Sequence, residues 1–502
     1  MKKFIFILVA FILCSSGFTE KFKINSVEYS INGKTCEQNL EHKIKIDKNR
    51  IFSNENELND YISELKQKFE NLRIFDSISI EYVTADSKAE NDIIQIPLSI
   101  SVSDSKNFIV VPYYKYDSND GHVIKAKIRD SNFLGTTNEA SSDVYFSIDN
   151  SNADQIYFGL GASFTYDFPF YFGIFEASWN NDYDFKYTFN KESPEWKINT
   201  GFTFTIPLNT AAFKLQLTQK FINDFDYSVF NDSLYFGEEI DFSIPIILQS
   251  ITGFGDIVYT PSVNFVYNWT DHKINLRNDD LISPELLFSN TISTHSINWH
   301  GNFRSGVSCY IKGSAGYNYL INEMVIGAES EVQLFLDWKY AGMNTRLYGF
   351  SYINKNKKIG SRIRGIRDDE YFNSPSFSDI NSTSTSQAIV LNLDFPIHIF
   401  TLDFENANWA LLHKLGFELQ IVPFIDFALI KNRVSERSFD IRDSYFCGGV
   451  EFIVYPLKFK SLQVRASAGF DLGRLLFNKS IDTEWRPNVS PYEISIGIGL
   501  HY

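Results

Sequence analysis

Along most of the chain apolar and polar residues alternate one by one, the two-residue period of a strand that meets a different environment on each face. In Ile156 to Tyr166 the even positions carry Ile, Phe, Leu, Ala, Phe and Tyr, and the odd ones Tyr, Gly, Gly, Ser and Thr. Trp196 to Leu208 repeats the pattern, and Val332, Leu334, Leu336, Trp338 and Tyr340 stand against Gln333, Phe335, Asp337 and Lys339. Such runs recur from about residue 108, separated by Asn, Asp, Ser and Gly clusters, and each has the roughly ten residues a tilted strand needs to cross a bilayer. A half-buried strand of a soluble sandwich alternates too. About a dozen such runs, with small and polar residues on one side and bulky apolar ones on the other, predict instead a barrel that turns its bulky side to lipid. Aromatics gather near strand ends, as in Tyr166, Phe168, Phe170, Tyr171 and Phe172 around Pro169, where an interfacial girdle would lie.

Residues 20–105 read differently. A strand, Ile24-x-x-Val27-x-Tyr29-x-Ile31, is followed by a segment with helical spacing in which Leu58, Ile62, Leu65, Phe69 and Leu72 make one stripe. Asn54 is placed to cap it, with Glu57 as the capping-box partner. Two strands follow, Ile78 to Tyr82 and Ile94 to Val102, giving a β-α-β-β order with one buried sheet face, a small α+β domain.

Composition agrees with a wall that has two faces. Aromatic residues make up 16% of the 502 residues, yet the mean hydropathy is only -0.17, as expected when a lipid side and a water side average out. The net charge of -15 argues against a nucleic-acid partner, because no basic stripe interrupts the acidity. Met1-Lys-Lys followed by the apolar run Phe4 to Leu13 predicts a secretory signal peptide over 1–17. A lipidated Cys14 is disfavoured because Phe-Ile-Leu precedes it, where a small residue would be needed. Cys36, Cys309 and Cys447 are too widely spaced for a disulfide framework or a metal knot, and no metal or cofactor is expected. No stretch beyond the signal is long and apolar enough for a membrane helix. The chain has no Gly-x-Ser-x-Gly elbow, His-Glu-x-x-His or Walker loop, so no enzyme is expected.

Several stretches resemble one family in their order and spacing. Asn71-Leu-Arg-Ile-Phe-Asp-Ser-Ile78 looks like the segment in which a POTRA helix turns into its second strand. Tyr116-Asp-Ser-Asn-Asp-Gly121 and Asp130-Ser-Asn-Phe-Leu-Gly135 look like a first barrel hairpin with its Asn-Leu-Leu-Gly motif. Gly360-Ser-Arg-Ile-Arg-Gly-Ile366 resembles a Val-Arg-Gly-Phe/Tyr loop motif, with Ile366 in place of the aromatic, and Gln387 to Ile397 and Phe424-Ile-Asp-Phe427 resemble the two strands after it. Together they resemble the BamA/TamA family of outer-membrane assembly factors, the bacterial surface antigens. Tyr492, Ile494, Ile496, Ile498, Leu500 and Tyr502 fall on one face of a last strand, and within it Ser495-x-Gly497-x-x-Leu500-x-Tyr502 resembles the C-terminal signal by which bacterial outer-membrane barrels are recognised.

The resemblance implies one periplasmic POTRA domain over 20–105 and an outer-membrane barrel of about sixteen strands over 106–502. Its partners would be lipid, unfolded outer-membrane clients and accessory factors on the POTRA domain. It implies that Arg364 and Gly365 anchor the loop inside the barrel, with Asp394 and Asp426 as partners of the arginine, since a guanidinium forks onto carboxylates. The other reading is that Arg362, Arg364 and Arg367 solvate an external loop beside Asp368, Asp369 and Glu370. Pro112, which cannot donate a ladder bond, and Gly497 and Gly499, which weaken a strand, fall on the two strands that close the barrel, a seam that opens sideways. Alternatively Pro112 marks the strand entry and the glycines make room for loop residues. A passive pore or surface-exposed adhesin of the same architecture is the rival function.

Overall fold

The computed structural model describes residues 21–82, 89–90, 93–117, 121–152, 155–189, 194–223, 234–270, 284–366, 384–404, 416–432, 435–476 and 492–500. The expected signal peptide, Arg367 to Glu370 and Tyr502 lie outside the described residues. The chain divides into two units, the first running to Ser105 and taking in Leu134–Thr137, the second holding the rest from Lys106. Leu134–Thr137 groups with the first unit, where the Cys36 amide donates to the Gly135 carbonyl at 2.9 Å, whereas the resemblance implies a barrel that runs unbroken from 106 through that segment.

The first unit runs β1(Lys21–Asn32), α1(Glu37–Lys43), β2(Ile51–Phe52), α2(Glu55–Asn71), β3(Phe75–Tyr82), β4(Ala89–Glu90) and β5(Ile93–Asp104). The sheet order is β2-β1-β5-β3, with β1 parallel to β5 and β3 antiparallel to it. Asn54 Oδ1 accepts the Glu57 amide at 2.9 Å, and the Glu57 carboxylate accepts the Ser53 amide at 2.8 Å, so the start of α2 is satisfied from both sides. Leu58, Leu65 and Phe69 of its stripe are buried in one core with Ile24, Ile96, Leu98 and Ile100. The short α1 has a single buried residue, Leu40, and so shows no apolar period to read.

The second unit runs β6(Phe108–Asp117), β7(Gly121–Asp130), β8(Ala140–Asn152), β9(Gln155–Phe172), β10(Phe175–Thr188), β11(Glu195–Pro207), β12(Ala212–Asn223), β13(Leu234–Ser243), β14(Ile246–Ile251), β15(Gly255–Trp269), β16(Glu285–His300), β17(Phe303–Asn318), β18(Glu323–Trp338), β19(Ala341–Ile353), β20(Lys357–Lys358), β21(Ser384–Thr385), β22(Gln387–Asp394), β23(Ile397–Leu402), β24(Phe417–Ile430), β25(Tyr445–Pro456), β26(Val464–Asp471) and β27(Tyr492–Ile498). All but β20 and β21, which pair with each other, lie in one antiparallel sheet whose order returns from β27 to β6 as a closed barrel.

Two pairs of these segments are halves of one bent strand. β13 and β14 both pair with β15 and are separated by Ile244-Pro245; β22 and β23 both pair with β24 and are separated by Phe395-Pro396. Joining them leaves eighteen staves among the described residues, against the sixteen expected. Sixteen is what the resemblance implies; turns of two residues such as Gly173-Ile174 and Lys339-Tyr340 carry no polar cluster by which the sequence itself would number the staves.

Most of the wall follows the expected facing. Val332, Leu334 and Trp338 are 44, 38 and 55% exposed on the outer side of β18, while Phe335 between them is fully buried under the Arg304 guanidinium at 4.1 Å. Two places depart. In β19 the aromatics Tyr348, Phe350 and Tyr352 face inward, because loop residues Ile359, Ile363 and Ile366 occupy the interior and pack on them. At the C-terminal end Tyr492, Ile494 and Ile496 face outward, but Gly499 takes a φ of +94° and Leu500 packs on the buried Val422, Ile453 and Tyr455. The expected run of one face through Leu500 therefore ends in β27, since a left-handed residue breaks the two-residue period.

Candidate functional site

The segment between β19 and β22 enters the barrel interior over Lys355 to Ile366, and basic residues along it meet acids on inward wall positions. Lys355 Nζ reaches Glu285 of β16 at 2.6 Å. Lys357 Nζ reaches Glu329 of β18 at 2.5 Å, and the hydroxyls of Tyr310, Tyr348 and Tyr352 donate to the same carboxylate at 2.7, 3.1 and 3.1 Å. Arg362 donates to Glu331 at 2.8 Å and lies 3.5 Å over the Tyr348 ring. Cation, carboxylate and ring faces thus satisfy one another along a half-buried stretch.

Arg364 sits deepest. Its Nε and Nη2 fork onto the two oxygens of Asp426 at 2.9 and 2.7 Å, Nη2 also reaches Asp394 at 2.6 Å, and its own amide donates to Asp426 at 2.8 Å. Nη1 lies 3.5 Å from Glu451, and the guanidinium stacks 3.8 Å over Phe424. Asn392 completes the shell, its side-chain amide donating to Asp426 and to the Arg362 carbonyl, each at 2.8 Å. The strand register explains the convergence, since Asn392 stands opposite Asp426 and Asp394 opposite Phe424 in the β22–β24 ladder. Charge-assisted, bidentate bonds of this kind fix direction as well as distance.

Gly365 has a φ of +86°, and a Cβ there would lie 2.6 Å from the Phe470 amide nitrogen. Gly469 is its mirror: a Cβ on it would lie 2.7 Å from the Gly365 nitrogen. Two backbones therefore touch, loop on β26, at the one point where neither tolerates a side chain. The Gly365 amide donates to Glu493 of β27 at 2.9 Å.

Arg364, Asp394 and Asp426 thus lie together, with Gly365 beside them. The reading of the arginines as solvated charge does not describe Arg362 or Arg364, the second of which is 5% exposed. Asn392, Glu451, Glu493 and Gly469 were not singled out from sequence. Their signal, polar or small residues at inward positions, is shared with every other stave.

The seam residues behave differently from one another. β6 and β27 are neighbours, and Pro112 lies on β6 opposite Ala126 of β7. Prolines also stand inside β9, β15 and β24, at Pro169, Pro261 and Pro423, so a proline does not set the seam apart. Gly497 pairs with Arg465, and a Cβ on it would meet only the far end of that side chain at 4.0 Å. Ser495 pairs with Ser467.

Among solved structures the chain is similar to BamA from Haemophilus ducreyi lacking POTRA domains 1-3, at 11% identity over 95% of this chain and 84% of that one, with a TM-score of 0.35. It is similar to CdiB from Acinetobacter baumannii at 11% identity over 95% and 74%, TM-score 0.47, and to CdiB from Escherichia coli at 8% identity over 96% and 91%, TM-score 0.38. No protein-family model and no curated protein sequence matches the chain.

Proposed function

We propose that this chain is an outer-membrane β-barrel of the BamA/TamA type, with a periplasmic POTRA domain, that assists insertion or translocation of other outer-membrane proteins through the seam between β6 and β27. The observation that carries the reading is the loop held inside the barrel by Arg364 on Asp426 and Asp394. A passive pore needs an open interior. Here a segment is tied to the inner wall by a series of ion pairs, and in this reading the wall itself is the route for a client.

Among the described residues β27 contributes seven residues and its neighbour β26 eight, against sixteen in each of β16, β17 and β18, so fewer ladder bonds hold this end of the sheet than hold those staves. A client strand added to β6 by backbone pairing replaces bonds of the same kind, and its bulky side then meets lipid without any chemical step. The POTRA domain would receive clients or accessory factors on the periplasmic side.

A disulfide panel across the seam tests this. With cysteines at Phe108, Val110 or Pro112 paired with Ile494 or Ile496, the oxidised barrel in liposomes should stop folding a reporter outer-membrane protein, and reductant should restore it. Unimpaired folding by the locked barrel, or a steady large current from the wild type in a planar bilayer, would instead make it a passive pore.

A further inference from the structure

On the outer side of the wall four polar side chains lie in one row. Asn181 of β10 stands opposite Thr200 of β11, Thr200 opposite Gln219 of β12, and Gln219 opposite Glu238 of β13. Two residues along the same strands, Trp179, Phe202, Leu217 and Ile240 are apolar and exposed, as the outer face requires. One end of the row satisfies itself. The hydroxyls of Tyr183 and Thr200 donate to Asn181 Oδ1 at 2.6 and 3.0 Å, the Asn181 side-chain amide donates to the Tyr166 and Trp179 carbonyls, and Trp179 Nε1 donates to Thr200 Oγ1 at 2.9 Å.

Glu238, at the other end, is different. Its carboxylate accepts one hydrogen bond among the described residues, from Gln219 Nε2 at 2.8 Å. Its chain neighbour Glu239 meets Lys220 on the inner side at 2.9 Å, so Glu238 points out. Among the described residues it is the one carboxylate, ammonium or guanidinium at an outward position away from a strand end. A charge facing lipid is unfavourable at depth and tolerated only near the interface. Glu238 lies one step inside a row of rings: Phe221, Phe236 and Trp269 stand opposite one another with centroids 5.1 and 4.7 Å apart, and Trp269 is the last residue of β15. Tyr267 is directly opposite Glu238. Rings gathered at strand ends mark the level of lipid headgroups.

We infer that Glu238, with Gln219, Tyr267 and the rings of Phe221, Phe236 and Trp269, holds the primary ammonium of a lipid headgroup against the outside of the barrel. An ammonium donates to carboxylate oxygens and lies favourably against ring faces, and this corner of the wall offers both. Charge complementarity selects the occupant, since a second copy of the chain brings no outward cation from its described staves and acyl chains offer nothing to a carboxylate. The inference rests on lipid meeting the outer face and needs no client.

The test uses the full chain in liposomes of equal phosphatidylethanolamine and phosphatidylglycerol, with a photo-crosslinking phenylalanine at Ile240, beside Glu238, or at Leu334 of β18 as a reference elsewhere on the outer face. Mass spectrometry of the adducts gives the ratio of the two lipids captured at each position. Ethanolamine lipid should be enriched at Ile240 over Leu334 by about three- to fivefold. Glu238→Gln keeps the size and removes the charge, and should bring the ratio at Ile240 down to the reference while leaving that at Leu334 unchanged. Equal ratios at the two positions in the wild type, or an enrichment that survives Glu238→Gln, would overturn the inference. Capture of a protein in place of lipid at Ile240 in native membranes would overturn it too, because the row would then be a protein contact.

Discussion

Arg364→Ala should release the loop from the barrel interior and lower the thermal stability of the barrel more than any other single change. The substitution leaves Asp394, Asp426 and Glu451 facing one another at 5, 0 and 2% exposure, with Arg465 at 3.5 Å from Glu451 as the neighbouring cation. Removing one partner of a buried ion pair costs about 3–5 kcal/mol, because the charges left behind are uncompensated. Thermal unfolding in detergent measures the loss, and proteolysis between Lys355 and Ser386 reports the released loop. Arg364→Lys should recover little, since a single ammonium cannot fork onto Asp426 and reach Asp394 at once. Full rescue by lysine would mean that net charge alone holds the loop.

Gly365→Ala is the second large effect. The new Cβ meets the Phe470 nitrogen at 2.6 Å in a left-handed backbone, so strain and overlap together should cost about 3 kcal/mol. Gly469→Ala approaches the same contact from the wall side, at 2.7 Å, and should give the same phenotype: a protease-sensitive loop on a barrel that still forms. Gly497→Ala is the contrast. Nothing lies closer than 4.0 Å to its Cβ position, and replacing a strand glycine removes unfolded-state freedom, so stability should hold or rise slightly. Equal destabilisation at Gly365 and Gly497 would show that loop contact is not what makes these glycines necessary.

How much of this was legible beforehand depends on the range of the interaction. Facing along a strand is fixed by a period of two, which is why Val332, Leu334 and Trp338 could be assigned outward from sequence. The cap of α2 is equally local, within four residues. The same rule failed at Tyr348, Phe350 and Tyr352, because what lies inside the barrel at that height is Ile359, Ile363 and Ile366, and alternation says nothing about what fills an interior.

The anchor itself is non-local. Arg364 is 30 residues from Asp394 and 62 from Asp426, and only the family resemblance joined them; charge and spacing alone favoured a solvated loop. Asn392 and Glu451 stayed hidden because an inward polar residue in a barrel is ordinary until the ladder register places it beside a charge. Leu500 was assigned to the wrong face because a single residue, Gly499, leaves the extended region. The stave count is not legible in the sequence either, because two-residue turns such as Gly173-Ile174 carry no more polarity than the strands they join; sixteen is what the resemblance alone implies.

A barrel in a membrane must turn the bulky side of each stave to lipid. Spin labels placed singly at Val332, Gln333, Leu334 and Phe335 of the barrel in liposomes measure this through their collision with oxygen, which partitions into hydrocarbon, and with a water-soluble nickel complex. Labels at 332 and 334 should collide freely with oxygen and rarely with nickel, while those at 333 and 335 should be shielded from oxygen. Low oxygen access at all four positions, with 332 and 334 packed as in a dry protein core, would contradict the account.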